Sequence, residues 1–162
     1  MLDAAVAYLL SLLSLPEVSL SALFIISALS ATLLPMGSEP AVFAVVKMNG
    51  SLFWPAVLVA TAGNTLGGVI TYAMGYGARH ALHDAQQPRC LGWLVRFGPK
   101  TLLLSWLPLI GDPLCALAGW LELPFLPSAL YMAMGKLLRY LTITSLLVAV
   151  PDGVWHRLLP WM

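Results

Sequence analysis

Charge is what this sequence has least of. Asp, Glu, Lys and Arg make up only 9% of its 162 residues, against 60% hydrophobic residues, where soluble domains carry roughly a quarter charged. With a mean hydropathy of +0.88, that scarcity excludes an ordinary soluble domain and points to an integral membrane protein. No basic run with interleaved aromatics occurs and the net charge is only +1, so nucleic acid is not an expected partner. Cysteine is equally scarce: Cys90 lies in a polar stretch and Cys115 in an apolar one, and the three histidines are scattered. These residues lack the ligand number and spacing of a metal site, so neither a metal nor a cofactor is expected. There is no Walker-type phosphate loop and no HExxH, and neither Ser38 nor Ser105 shares its segment with a histidine. The chain is therefore expected not to be an enzyme. Residues 1–14 are apolar but contain Asp3 and no Lys or Arg, which is not the pattern of a cleaved secretory signal. They fall short of the ~20 apolar residues needed to cross a bilayer, so residues 1–18 are expected to form an interfacial helix.

What is present is two long uncharged runs, each preceded by a broken one. Residues 19–34 are uncharged and reach ~24 Å as a helix. They stop at Pro35-Met36-Gly37-Ser38-Glu39-Pro40, where the prolines and Gly37 favour a turn over continued helix. A short apolar arm, 41–46, follows. Residues 52–78 then carry no charge at all and are long enough to span with tilt. Residues 79–100 form the one polar connection, and four of the eight Lys and Arg residues lie there, which places it on the cytoplasmic side. The same order then returns. An apolar arm from residue 101 runs into Pro108, a break follows at Gly111-Asp112-Pro113, a return arm covers 114–121, and a second long run covers 124–150, before a tail at 151–162. The pattern Leu-Pro-x-x-x-acid-Pro recurs after 73 residues, and Gly63-Asn64-x-x-Gly67 is answered by Gly135-Lys136-x-x-Arg139 after 72.

This is read as a duplicated all-α membrane fold, with repeat 1 at 19–78 and repeat 2 at 101–150. Each repeat is a re-entrant helical hairpin followed by a long transmembrane helix. The hairpin tips are marked by Pro35, Gly37 and Pro40 and by Pro108, Gly111 and Pro113. Two full crossings would make the repeats an inverted pair meeting near the midplane, as in duplicated transporters with interrupted helices. Four kinked full crossings are the alternative topology.

The candidate binding residues are Glu39, Asn64, Asp112, Lys136 and Arg139, because charges facing lipid cost roughly 2.5 to 3.5 kcal/mol each on insertion scales. They should face one another or a wet cavity. Lys136 and Arg139, three apart, share a helix face, and an Arg fork suits a phosphate, so an anionic headgroup is the expected ligand. An apolar tip disfavours the charged form of Glu39 unless a neighbouring Lys or Arg offsets this, which makes Glu39 the candidate proton carrier. Asp112 before Pro113 reads equally as a helix cap, and Asn64 as a bond between helices. The competing reading is that two acids and two bases merely neutralise one another and join the repeats.

Several motifs together resemble the YqaA branch of the DedA superfamily, also called the VTT or SNARE-associated Golgi protein family. They are Ser30-Ala31-Thr32-Leu33-Leu34-Pro35 with Glu39, Gly63-Asn64-x-x-Gly67-Gly68, Arg96-Phe97-Gly98, Leu104-Ser105-Trp106-Leu107-Pro108 with Gly111-Asp112, Ala118-Gly119-Trp120, and Gly135-Lys136-x-x-Arg139-Tyr140. The resemblance covers about residues 20–145. It implies a bacterial inner-membrane protein with two opposed re-entrant hairpins that moves lipids, either undecaprenyl phosphate or phospholipid, using a proton or sodium gradient. It implies a glutamate in the first hairpin, matched by Glu39. It also implies two arginines in the second hairpin, where this chain has Ser105 and Gly111. A small-solute or ion transporter and a non-transporting scaffold remain the alternatives, and a homo-oligomer is a candidate assembly.

Overall fold

In a computed structural model the chain is described at residues 16–33, 38–82, 92–107 and 110–150, and the described residues are helical with no strand. Helix α1 is Pro16–Leu33, α2 Glu39–Met48, α3 Phe53–Ala81, α4 Gly92–Phe97, α5 Gly111–Trp120 and α6 Phe125–Ala149, with a 3₁₀ helix at Gly98–Trp106. The hairpin-tip positions Pro35, Gly37 and Pro108, the interfacial segment before residue 16 and the tail from 151 lie outside the described residues.

Two of these helices are long and apolar enough to cross a membrane: residues Gly50–Ala81, which include α3, and Phe125–Ala149. At 1.5 Å per residue, α3 extends about 43 Å and α6 about 37 Å. Both match the long runs expected at 52–78 and 124–150. Their faces are distributed opposite to those of a soluble helix. On α3 the exposed positions include Trp54, Leu58, Leu66, Ile70 and Met74, while Thr61 and Asn64 are buried. On α6 Leu126, Leu130, Met134, Leu138 and Leu146 face outward, while Ser128, Lys136, Arg139 and Thr144 face inward. Exposed apolar stripes at i, i+4 spacing, with charged side chains turned inward, belong in lipid rather than water.

Packing runs across the chain rather than along it. Helix α3 is the centre, with α1 along one side, α5 along another and α6 against it, and α6 in turn lies on the 3₁₀ helix and on α2. Small residues make these approaches possible. A side chain on Gly63 or Gly67 would collide with the carbonyl oxygens of Phe24 and Ala28 on α1, and a Cβ on Gly135 would sit 2.6 Å from the Leu103 carbonyl oxygen. Two apolar clusters fill the remainder. One gathers Tyr72, Leu94, Leu102, Leu114 and Met132. The other gathers Leu23, Val42, Ala56, Val57 and Tyr140.

Three details differ from the sequence reading. The polar connection at 79–100 is not all loop: α3 continues through Ala81, and α4 occupies Gly92–Phe97, held because Leu94 is fully buried while Arg96 is exposed. The apolar arm from residue 101 is a 3₁₀ helix rather than α-helix. It begins where Gly98 takes a φ of +59° and Pro99 supplies no N–H, and its carbonyls lie directly against Gly135. Finally, α5 is not capped by Asp112: its N-cap is Ile110, whose side chain has no acceptor to offer, and the Asp112 carboxylate accepts from another partner.

Candidate functional site

Two of the short helices carry an acid and a proline in their first turn, Glu39-Pro40 on α2 and Asp112-Pro113 on α5. Proline is tolerated in a first turn because N–H groups there lack intrahelical partners, and an acid there is favoured by the helix dipole. Both acids point at the same neighbour, α6. Its inward face presents Lys136 and Arg139 one turn apart, both buried.

Arg139 donates from Nε to Oε1 of Glu39, and its Nη2 lies against the same oxygen. The side chains are 6% and 15% exposed respectively. Lys136 is buried more deeply and held by more groups. Its Nζ donates to the Asn64 backbone oxygen at 2.6 Å, to Asn64 Oδ1 and to Asp112 Oδ1 at 3.1 Å. Lys136 is 1% exposed and Asp112 28%. Gly68 leaves room for this ammonium, since a Cβ there would stand 3.0 Å from Nζ and 2.5 Å from Met132 Sδ.

All five candidate residues are therefore brought together, as two ion pairs hung from one long helix. Of the described tip residues, Pro40 and Pro113 lie in the first turns of α2 and α5, and Gly111 starts α5. The Gly111 backbone presses against Ser105, where a Cβ would meet the Ser105 carbonyl oxygen at 2.6 Å. Ser105 itself donates to the Met132 carbonyl at 3.2 Å. The two positions where the resemblance implies arginines are thus filled by a tight backbone contact, and the cations come from α6 instead.

Sequence reasoning missed one member of the site. The hydroxyls of Ser38 and Tyr140 are hydrogen-bonded, so consecutive residues 38 and 39 meet consecutive residues 140 and 139. Ser38 is the N-cap of α2 but makes no capping bond, its hydroxyl being directed to α6. The Arg139-Tyr140 step was visible, yet nothing local in the sequence tells a buried tyrosine from one tied to a distant serine.

The chain is 42% identical to the inner membrane protein YqaA of Escherichia coli over 140 residues, covering 85% of this chain and 96% of that protein. It belongs to the YqaA family. The Shigella flexneri inner membrane protein YqaA matches with the same identity and coverage. An uncharacterized protein of Haemophilus influenzae is 45% identical over 139 residues, covering 79% of this chain and 87% of its own length. No family model matches the chain, and no solved structure matches it. The resemblance to the YqaA branch of the DedA superfamily is borne out. This is a bacterial inner-membrane protein, and the YqaA relatives, with the apolar exteriors of α3 and α6, agree on that placement.

Proposed function

We propose that this protein translocates a phosphate-bearing lipid across the inner membrane, with Arg139 binding the phosphate and Glu39 exchanging a proton. One observation supports this most: a buried Arg–Glu pair sits between a long apolar helix and the start of a short interrupted one. Arg139 directs two nitrogens at a single carboxylate oxygen, while its fork carries five N–H donors. A phosphate could displace that carboxylate and be held bidentately. Protonating Glu39 would remove the competing charge, so lipid headgroup and proton would bind together. In this reading α1–α2 and the 3₁₀ helix–α5 are two opposed re-entrant hairpins of an inverted pair, the 79–100 connection faces the cytoplasm, and the lipid is undecaprenyl phosphate or a phospholipid. The protein acts as a transporter and not as an enzyme, alone or as a homo-oligomer.

Vesicles reconstituted with wild type, Arg139→Ala or Glu39→Gln and loaded with labelled lipid test this. Both folded variants are expected to lose at least about tenfold in translocation rate, on the order of 1.4 kcal/mol or more at the rate-limiting barrier. A folded Arg139→Ala protein that flips lipid at the wild-type rate would remove the assignment. Flux of a small anion without lipid movement would instead support a solute transporter. The scaffold reading has its own support, since each buried cation on α6 already meets an acid. It requires that both variants unfold rather than persist folded and inactive.

A further inference from the structure

The Lys136 ammonium is enclosed by oxygens from two helices other than its own. The Asn64 backbone oxygen, Asn64 Oδ1 and Asp112 Oδ1 all accept from Nζ, and an ammonium has three donors to give. A helix carbonyl, an amide oxygen and a carboxylate oxygen converging on one buried point are also the donor chemistry of a hard cation. The charge matches too: one carboxylate, one monovalent cation. We infer that the space between α3 and α5 at Asn64 and Asp112 is a monovalent-cation site, which the chain fills with the tethered ammonium of Lys136. Removing that head group opens the site to Na⁺ or K⁺.

While Lys136 occupies the oxygens, a free sodium ion has no place among them, whether or not the protein moves lipid. A sodium gradient is then not sensed at this point, and Glu39, paired to Arg139 one turn further along α6, is the remaining acid of the site. Gly68 fits the same picture, because a Cβ there would stand 3.0 Å from Nζ and crowd the head group of the site.

The test is thermal unfolding of the purified full-length protein in detergent, in choline, sodium or potassium chloride at matched ionic strength. Lys136→Met keeps the apolar stem and removes the charge. Its melting temperature is expected to rise by about 4 °C or more in sodium or potassium relative to choline, as selective binding to the folded state requires, while the wild type shifts by less than about 1 °C. A variant no more cation-sensitive than the wild type overturns the inference. If Lys136→Met is not recovered folded in choline, its recovery in sodium or potassium supports the site, and aggregation in all three overturns it. Lys136→Ala provides the second measurement. Propylammonium, which restores the missing stem and head, is expected to stabilise it and tetramethylammonium is not; equal effects of the two overturn the inference. None of these readouts needs lipid to move, so their failure is distinct from failure of the Arg139 flux experiment.

Discussion

Removing one partner of a buried ion pair leaves a charge without compensation, whereas removing both leaves only a hole to be filled. Glu39→Gln should therefore destabilise the fold by about 3 to 5 kcal/mol, and Glu39→Gln combined with Arg139→Gln by clearly less. A double-mutant cycle followed by thermal melts measures the coupling; additive losses would mean that the two side chains do not stabilise one another. A sharper residue-level contrast is between two glycines of α3. Gly68→Ala must displace the Lys136 ammonium and Met132 and is expected to cost about 1 to 3 kcal/mol. Gly77 has nothing within 4 Å of an added Cβ, so Gly77→Ala should stabilise by up to about 1 kcal/mol through helix propensity. At this scale the charged members of the site were readable, because a charge in a 60% hydrophobic chain must be matched somewhere. Their pairing was not, since Glu39 with Arg139 and Asp112 with Lys136 are matched by a fold that spacing alone does not specify. Asp112 read as well as a cap.

The elements were legible where apolar runs were long and hidden where backbone geometry decided. Spans α3 and α6 follow from their uncharged length. The 3₁₀ helix at Gly98–Trp106 does not, because apolar residues at its positions suit an α-helix equally well, and contact with Gly135 lies outside the local sequence. The α5–α6 turn is a similar case. Leu123 N donates to the Ala118 oxygen and Glu122 N to the Gly119 oxygen, both at 3.0 Å, which is the Schellman closure of a helix end. It places Glu122 at a φ of +54°, a conformation glycine tolerates without the Cβ penalty. Glu122→Gly is expected to raise stability by about 1 kcal/mol, read as a higher melting temperature; a lower one would assign the glutamate a favourable contact. At the other end of the site, Tyr140→Phe deletes the bond to Ser38 and should cost about 1 kcal/mol.

Among the described residues the long helices turn apolar stripes outward and hold their cations inside, beside two apolar clusters, and the apolar exterior is what the composition foretold. A lysine in place of outward-facing Leu130 is accordingly expected to cost roughly 2.5 to 3.5 kcal/mol of insertion, seen as lower membrane accumulation, although Lys136 lies only six residues away on the same helix. Its inward position and three acceptors are what make Lys136 acceptable. The 72-residue shift aligns Asn64 with Lys136, and these two residues touch. The central functional claim concerns the other pair. Its most direct measurement is the rate at which reconstituted protein moves a phosphate-bearing lipid relative to a matched lipid with a neutral headgroup, in wild type and in folded Arg139→Ala. The account predicts a preference for phosphate of at least about tenfold in the wild type, roughly one bidentate charged contact, and its loss in Arg139→Ala. An equal preference in both proteins would contradict it.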